Sequence, residues 1–266
     1  MSLRTRLSRP PLVLLYHSLG EPLERRQDSA NLMLDVGRFR DQLGKLRARG
    51  YEFLKLTDWV ARIEGGRGPE GCCAPTFDDG SSDMHSILPG LLEEFDATAT
   101  IFVCPRLLGR PHFAMTEDAG VRLVTEQELL ELAANDRIEL GSHTNEHTCM
   151  DDTTAQEAYD LMYESRVALE ALIGRPVTSF AYPRCGYSPA CPPAAERAGY
   201  TVAATCAPAG GVLPYELSRE SITGLDGSFA FALKSRMLWE PLYASWAGRT
   251  ASRMLRGRRH PGQPAT

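Results

Sequence analysis

The sequence contains no long apolar run. Spanning a bilayer takes roughly 20 consecutive apolar residues, and no segment of the chain approaches that length. The basic N-terminus, Met1 to Pro11, is followed by an apolar run of only Leu12 to Leu15. That run is too short for the core of a signal peptide and lacks a small-residue cleavage site. We therefore expect no transmembrane helix and no export signal, and we predict a cytoplasmic location.

Strong charge and paired cysteines are also absent. A net charge of −5 over 266 residues gives no general argument for nucleic-acid binding. Without a C-x-x-C pair, neither a zinc knuckle nor a redox motif is indicated. We interpret the cysteines mostly as small core residues in a reducing compartment. The seven are Cys72, Cys73, Cys104, Cys149, Cys185, Cys191 and Cys206.

Short apolar segments typical of β-strands alternate with helical patterns. Apolar spacing predicts a helix from Val36 that Gly50 ends, and Thr125 with Glu128 forms a capping box for another. The longest helical pattern covers Thr154–Ile173. The predicted strands are Leu12–Tyr16, Tyr51–Leu56, Cys72–Phe77, Ala97–Cys104, Arg137–Gly141, Val177–Tyr182 and Tyr200–Thr205.

This alternation predicts an α/β fold with mostly parallel strands and outer helices. About seven strand–helix units without a linker favour a closed or nearly closed barrel, and an open doubly wound sheet is the alternative. We place this single domain at residues 1–233 and a basic C-terminal helix and tail at residues 234–266. The mixture of basic and aromatic residues there is typical of a helix that lies on an anionic membrane. A helix packed on the barrel, followed by a tail, is the alternative that we favour.

Two polar clusters stand at predicted strand ends. Thr76–Gly80 reads Thr-Phe-Asp-Asp-Gly and His143–His147 reads His-Thr-Asn-Glu-His. In both folds the carboxyl ends of parallel strands meet on one face, together with His17 and the segment Phe180–Arg184. Two imidazoles and one carboxylate can hold a metal ion, and a second carboxylate can act as a base. The alternatives, a surface turn and structural histidines, are disfavoured by the strand before each cluster. Thr144 stands where the H-E-x-x-H motif has its glutamate, which disfavours a zincin-type protease.

These motifs resemble those of the polysaccharide deacetylase family, the metal-dependent carbohydrate esterases that include chitin-oligosaccharide deacetylases. Thr76–Gly80 is similar to the family's first motif, His143–His147 to its second and Phe180–Pro183 to its third. The similarity runs from about Leu12 to Ile222. The resemblance implies a distorted (β/α)7–8 barrel.

The resemblance also implies roles for individual residues. Asp79, His143 and His147 would bind one divalent metal ion, for which zinc is the best candidate. Asp78 would be the general base for a metal-activated water. The oxyanion would be held by the metal and by a backbone N–H, for which we predict Tyr182.

Two features depart from the family pattern. Ala181 replaces the arginine that often orients the base, and we expect Arg184 to supply a charge nearby. The late Leu-x-His motif that usually supplies the general acid is absent, and only His260 follows His147. We predict that His17 is the general acid, with a structural strand-end histidine as the alternative. The remaining histidines, His85 and His112, are interpreted as ordinary loop or helix residues, although either could contact substrate.

The predicted function is removal of an N-acetyl group from an amino sugar or glycoconjugate, with no nucleic-acid partner. A cytoplasmic location favours a sugar precursor, a lipid-linked saccharide or a specialised metabolite over a finished cell-wall polymer. The same groups would serve a deformylase, an O-deacetylase or a non-sugar amidase. A non-catalytic carbohydrate-binding protein is the rival from another class, although retention of Asp78 argues against it.

Overall fold

Parallel strands form the wall of a barrel in the computed structural model, which describes residues 9–206 and 214–236. The wall follows the order β10, β9, β8, β7, β6, β5, β1, β11, with every neighbouring pair parallel. These strands are β1 (Leu12–Tyr16), β5 (Cys72–Phe77), β6 (Ala99–Val103), β7 (Ile138–Ser142), β8 (Ser179–Ala181), β9 (Val202–Thr205), β10 (Leu217–Ser218) and β11 (Glu220–Ser221). In addition, β4 (Glu52–Phe53) pairs with the start of β5, and β2 (Ser18–Gly20) pairs with β3 (Met33–Asp35) in a separate sheet.

A short stretch near the end of the described chain closes the wall. Only Arg219 separates β10 from β11. Because β10 pairs with β9 and β11 pairs with β1, the stretch Leu217–Ser221 crosses from one side of the gap to the other. We call Leu217–Ser221 the closing stretch. The fold is therefore a nearly closed barrel of eight parallel strands with helices around it, as predicted.

The helices lie mostly between consecutive wall strands. They are α1 (Val36–Ala48), α2 (Leu56–Glu64), α3 (Asp83–Ser86), α4 (Leu88–Glu94), α5 (Glu126–Ala133), α6 (Ala155–Ile173), α7 (Cys191–Arg197) and α8 (Ser228–Lys234). The predicted capping box of Thr125 and Glu128 begins α5, and Thr154 with Glu157 forms a second box that begins α6. Left-handed Gly174 ends α6, as its position after the apolar pattern indicates.

Alternating strand residues feed two apolar clusters. Leu14 packs with Phe39 of α1 in the larger cluster, under the outer helices. Its neighbour Val13 faces the opposite side and joins a second cluster with Ala74 and Phe102. The second cluster collects residues from most wall strands, so it is the barrel interior, and α2 adds Trp59 to it. Because both faces of each strand are covered, the strands read as continuous apolar runs.

One secondary-structure prediction needs correction. The predicted strand Tyr51–Leu56 is reduced to Glu52–Phe53, because Leu56 is already the first residue of α2. Its side chain is buried with Trp59 and Val60 in an amphipathic helical pattern that the strand interpretation overlooked. The wall strands β1 and β5 have the predicted bounds, and β6 to β9 lie inside or within one residue of theirs.

The interpretation of the cysteines was wrong for one pair. Cys185 and Cys206 form a disulfide whose Cα atoms are 5.2 Å apart. The two residues follow neighbouring strands, β8 and β9, and pairing of those strands brings them together. The reducing compartment was inferred from thiols alone, so the disulfide removes that support. The free cysteines Cys72, Cys73, Cys104 and Cys191 are buried, as predicted.

Within residues 9–206 and 214–236, no helix is long and apolar enough to cross a membrane. The last described helix, α8, ends at Lys234, whose Nζ lies 2.9 Å from Asp226 and donates to the carbonyl of Ser221 in the closing stretch. The predicted C-terminal helix and tail beyond Arg236 lie outside the described residues.

Candidate active site

Four strand ends deliver polar side chains to one pocket. Asp78 and Asp79 follow β5, His143 and His147 follow β7, His17 follows β1, and Arg184 follows β8. All of them line a single cavity of about 310 Å³, together with Phe113, Ala114 and Cys185. The convergence expected from the strand ends is thus present in the fold. The chemical roles of these residues remain predictions.

The backbone after β5 explains how two consecutive aspartates face the same pocket. Asp79 has a φ of 71° and Gly80 a φ of 76°, so the chain turns sharply through left-handed conformations. Aspartate tolerates this region better than most residues, and glycine adopts it without cost. A Cβ at Gly80 would lie 2.7 Å from Cγ1 of Val103, so a side chain has no room there. Glycine is therefore required at position 80 by both the turn and the packing, and Asp79 is compatible with its place in the turn.

Three side chains form a donor set that could hold a metal ion. Asp79 Oδ1 lies 3.6 Å from His143 Nε2 and 3.4 Å from His147 Nε2. Ligands about 2.0–2.2 Å from one tetrahedral ion are separated by roughly these distances. Asp79 Oδ1 is buried and has no hydrogen-bond partner among the described residues, which is costly unless another group satisfies it. The geometry and the orphaned oxygen fit a divalent cation held by these three residues.

The orientation of His143 is fixed by the neighbouring strand. Its Nδ1 lies 2.7 Å from the carbonyl oxygen of Ala181, which requires the ring proton on Nδ1. Nε2 is then a lone-pair donor that faces Asp79. Burial and the adjacent charge of His143 lower the pKa of His147 to about 4, which keeps this second imidazole neutral at ordinary pH. Neutral His147 is in the state that metal coordination needs.

Asp78 is held by an arginine that the sequence did not reveal. The Nη1 and Nη2 atoms of Arg219 donate to Asp78 Oδ1 and Oδ2 at 2.7 and 2.8 Å. Arg219 also donates to Thr76 Oγ1 at 3.1 Å and to the carbonyl oxygen of Thr205 at 3.3 Å. The guanidinium lies over the Phe102 ring and its side chain is 0% exposed. Burial raises the pKa of Asp78, but the charge of Arg219, with smaller contributions from His143, the Arg219 hydrogen bonds and His17, lowers that pKa overall.

Arg219, rather than Arg184, is therefore the arginine that pairs with Asp78. It lies at the middle of the closing stretch, between β10 and β11. No motif marks it, because the letters Leu-Ser-Arg-Glu-Ser carry no clear periodicity. Only the pairing of the closing stretch with both β9 and β1 brings it under the end of β5. Arg184 instead lines the same pocket.

His17 lies in the pocket as predicted, beyond the end of β1. Burial lowers its pKa, and the nearby negative charges of Asp79 and Asp78 oppose that effect. The ring therefore lies close enough to both aspartates to sense their charge. This position agrees with the predicted proton-transfer role, which stays a prediction beside the alternative of a structural strand-end histidine.

Tyr182 does not have the predicted geometry for an oxyanion donor. Its backbone N–H donates to the carbonyl oxygen of Ala204 at 2.9 Å, continuing the pairing of β8 with β9. Its hydroxyl donates to the carbonyl oxygen of Tyr215 at 3.0 Å, and the residue is fully buried. The N–H is thus already used in the wall, and the prediction that it holds the oxyanion was wrong.

Two residues to which the sequence gave no definite role lie in the pocket lining or against Asp79. Cys185, half of the disulfide, lines the pocket next to Arg184, and both have left-handed backbones. His112 is buried with its Nε2 3.4 Å from Asp79 Oδ2, so it is not an ordinary loop residue. The other such histidine, His85, pairs with Glu131 outside the pocket.

A barrel with an Asp–His–His donor set and a separate, buried, ionised carboxylate defines a candidate metal-dependent hydrolase. The sequence model of the polysaccharide deacetylase family, described as "Polysaccharide deacetylase", matches residues 65–203, more than half of the chain. The chain belongs to the polysaccharide deacetylase family, as its motifs predicted. The name of that family refers to hydrolysis of an amide carbon–nitrogen bond, the reaction class predicted from the sequence.

One curated relative is the "Putative polysaccharide deacetylase YxkH" of Bacillus subtilis (strain 168). It is 25% identical over 197 residues, which are 74% of this chain and 64% of the relative. The match thus spans less than two thirds of the relative's own length.

Solved structures share the fold at low identity. The Streptococcus pyogenes deacetylase PplD, solved in complex with acetate, is 21% identical with a TM-score of 0.70, over 84% of this chain and 97% of that one. IcaB from Ammonifex degensii is 18% identical with a TM-score of 0.70, over 86% and 96% of the two chains. At these identities the likeness concerns the fold.

Proposed function

We propose that the chain is a metal-dependent hydrolase that removes an N-acetyl group from an amino sugar or glycoconjugate. The observation that carries this proposal is the division of labour between the two aspartates. Asp79 faces two histidines with an orphaned oxygen, while Asp78 is kept ionised by buried Arg219. A protein that only binds carbohydrate has no need for a fixed, ionised carboxylate outside the donor set.

Asp79, His143 and His147 would hold the ion, and two imidazoles with one carboxylate suit zinc. When bound, a divalent ion supplies Lewis acidity at the scissile carbonyl and makes water more acidic. Because His143 is held by Ala181 and Asp79 by its turn, the donor atoms are positioned before any ion arrives.

Asp78 would accept the proton of the attacking water. Each of its oxygens accepts one hydrogen bond from Arg219 and retains a further lone pair for a proton. Its Oδ2 lies 3.9 Å from His143 Nε2, so the base is next to the donor set. The bidentate pair with Arg219 fixes the direction of the carboxylate and keeps it ionised.

His17 would donate a proton to the leaving amine. It lines the same pocket as both aspartates and directly follows β1, which pairs with β5, the strand that the aspartates follow. A proton donor is needed because an amine is a poor leaving group until it is protonated. Of the three histidines among the described residues that line the pocket, His143 and His147 belong to the donor set, which leaves His17 as the candidate proton donor.

The proposal is tested by measuring metal content and acetate release from N-acetylglucosamine oligosaccharides. We expect about one zinc per chain and acetate release that Asp78→Asn lowers by about 10²- to 10⁴-fold, the usual contribution of a general base. Asp160→Asn, an exposed carboxylate on α6, is the matched control and should behave like wild type.

The same assay separates the alternative functions. Release of formate, O-linked acetate or a non-sugar amine, without acetate from N-acetylated sugars, would mean that the same site hydrolyses a different bond from the one proposed. A bound metal with no release from any acylated substrate would contradict a hydrolase and favour a carbohydrate-binding protein.

A further inference from the structure

His112 is buried beside Asp79 and is used in no step described so far. Its side chain is 0% exposed, and its Nε2 lies 3.4 Å from Asp79 Oδ2. Within the described residues, this Nε2 has no hydrogen-bond partner of ordinary geometry. A buried ring nitrogen without a partner is unfavourable, so the nearby carboxylate oxygen is its natural acceptor.

The other ring nitrogen determines where the proton of His112 lies. The backbone N–H of Ala114 donates to His112 Nδ1 at 3.2 Å. Nδ1 therefore carries the lone pair, and a neutral ring must carry its hydrogen on Nε2. That hydrogen is on the atom nearest to Asp79 Oδ2.

The backbone of His112 is joined to the turn that carries Asp79. The N–H of His112 donates to the carbonyl oxygen of Val121 at 3.0 Å, and the N–H of Val124 donates to the carbonyl oxygen of Gly80 at 2.9 Å. The loop from His112 to Val124 is thus closed by one hydrogen bond between its two ends and joined by the other to Gly80, next to Asp79. The position of the ring relative to Asp79 is set by hydrogen-bonded backbone rather than by a free loop.

We propose that His112 is a positioning residue for the metal ligand Asp79. It donates Nε2–H to Oδ2, which leaves Oδ1 as the single oxygen facing His143 and His147. This arrangement makes Asp79 a one-oxygen ligand in a fixed direction. The inference rests on the metal site of the proposed function and names the residue that tunes it.

Two polar substitutions distinguish the contact of His112 with Asp79 from its hydrogen bond with the loop backbone at Ala114. His112→Asn keeps an acceptor for the Ala114 N–H, because asparagine bonds to the backbone two residues on, but it is too short to reach Asp79. His112→Gln keeps a donor at the distance of Nε2. Outer partners of metal ligands usually contribute about 10- to 100-fold in affinity, so the zinc Kd should rise by about that factor in His112→Asn. In His112→Gln most of the affinity should be retained.

The measurement is zinc titration against a chromophoric chelator, with circular dichroism of each purified variant to establish folding. His85→Asn and His85→Gln are the matched controls, since His85 also contacts a carboxylate, that of Glu131, outside the pocket. Both should bind zinc like wild type. Equal zinc Kd values for His112→Asn and His112→Gln, whether weakened or not, would overturn the proposal.

Failure of the broader function gives a different result. If wild type binds no zinc, the metal site of the proposed function is wrong, and the role of His112 fails with it. If wild type binds zinc and His112→Asn binds it as tightly, only the role of His112 is wrong.

Discussion

Asp79, His143 and His147 lie at the ends of β5 and β7, which we call the ligand side of the barrel. The ligand side and the closing stretch supply the two halves of the same site by different means. On the ligand side, the five- and six-residue strands β7 and β5 each end in a polar cluster. The closing stretch contains two strands of two residues, and a single arginine stands between them. One side provides the candidate donor set, and the other provides the charge that holds Asp78, the proposed base.

The difference concerns which interactions fix each half. The Asp-Asp-Gly turn and the strand before it are local, so the chain itself directs Asp78 and Asp79 to the barrel mouth. Arg219 is 141 residues away from Asp78 along the chain, and its bidentate contact exists only because the wall closes. We therefore expect damage to the closing stretch to leave the ligand side in place and to displace Asp78.

Arg219→Met gives the largest expected effect, because it leaves Asp78 as an unpaired buried charge. Removing one partner of a buried ion pair costs about 3–5 kcal/mol of the free energy of unfolding. Turnover should also fall sharply, while zinc binding by the ligand side persists in the folded fraction. Urea unfolding and zinc titration measure the two effects.

Arg122→Met is the matched control for this substitution. Arg122 also forms a bidentate pair, with Glu128, but its side chain is 42% exposed. An exposed pair contributes only about 0–1 kcal/mol. Similar losses in Arg122→Met and Arg219→Met would contradict the special role of the closing stretch.

His17→Ala tests the strand that borders both regions, since β1 pairs with β5 on one side and β11 on the other. We expect turnover to fall by about 10²- to 10⁴-fold, the usual contribution of a general acid, with the metal content unchanged. His85→Ala should have wild-type turnover. Unchanged turnover in His17→Ala would remove this histidine from the mechanism.

The Cys185–Cys206 disulfide ties the pocket rim to the end of β9, which pairs with the closing stretch. Crosslinks over such a loop typically contribute about 2–4 kcal/mol. The double substitution Cys185→Ser with Cys206→Ser should lower the free energy of unfolding by about that amount and raise the KM. Cys149→Ser, at an exposed free thiol, is the control.

A count of free thiols tests whether the Cys185–Cys206 disulfide is present. Denatured wild type without reductant should titrate five thiols, the number of free cysteines. A titration of all seven would contradict the crosslink.

Arg219→Lys gives the smallest expected effect, a change in pH dependence. In wild type, burial raises the pKa of Asp78 but the Arg219 contact lowers it below its usual 3.8 overall. The stabilisation from this pair is therefore present above pH 3.8 and is lost only as the pH falls through the lower folded pKa. Lysine keeps the charge but loses the bidentate geometry, so the pKa of Asp78 should rise.

The acid limb of kcat/KM against pH should then move to higher pH in Arg219→Lys. Arg122→Lys should leave the limb in place. If the acid limb does not move in Arg219→Lys, the limb does not reflect the titration of Asp78.

Much of the site could be predicted because its parts are local. The apolar runs that end at Tyr16 and Phe77 gave β1 and β5 their bounds, and the polar letters after each strand marked the barrel mouth. The strand predicted at Tyr51–Leu56 failed because its last residue begins a helix that buries Trp59. Periodicity over so few residues does not separate a strand from a helix start.

The sequence by itself determined the barrel class, the family motifs and the identity of the donor residues, because strand patterns and turn chemistry depend on near neighbours. Only the tertiary structure decided that Arg219 holds Asp78, that His112 lies against Asp79, that Cys185 meets Cys206, and that the Tyr182 N–H is already used. Each of these contacts joins segments whose distance in space depends on the pairing and closure of the wall. No local pattern in the amino-acid sequence records that distance.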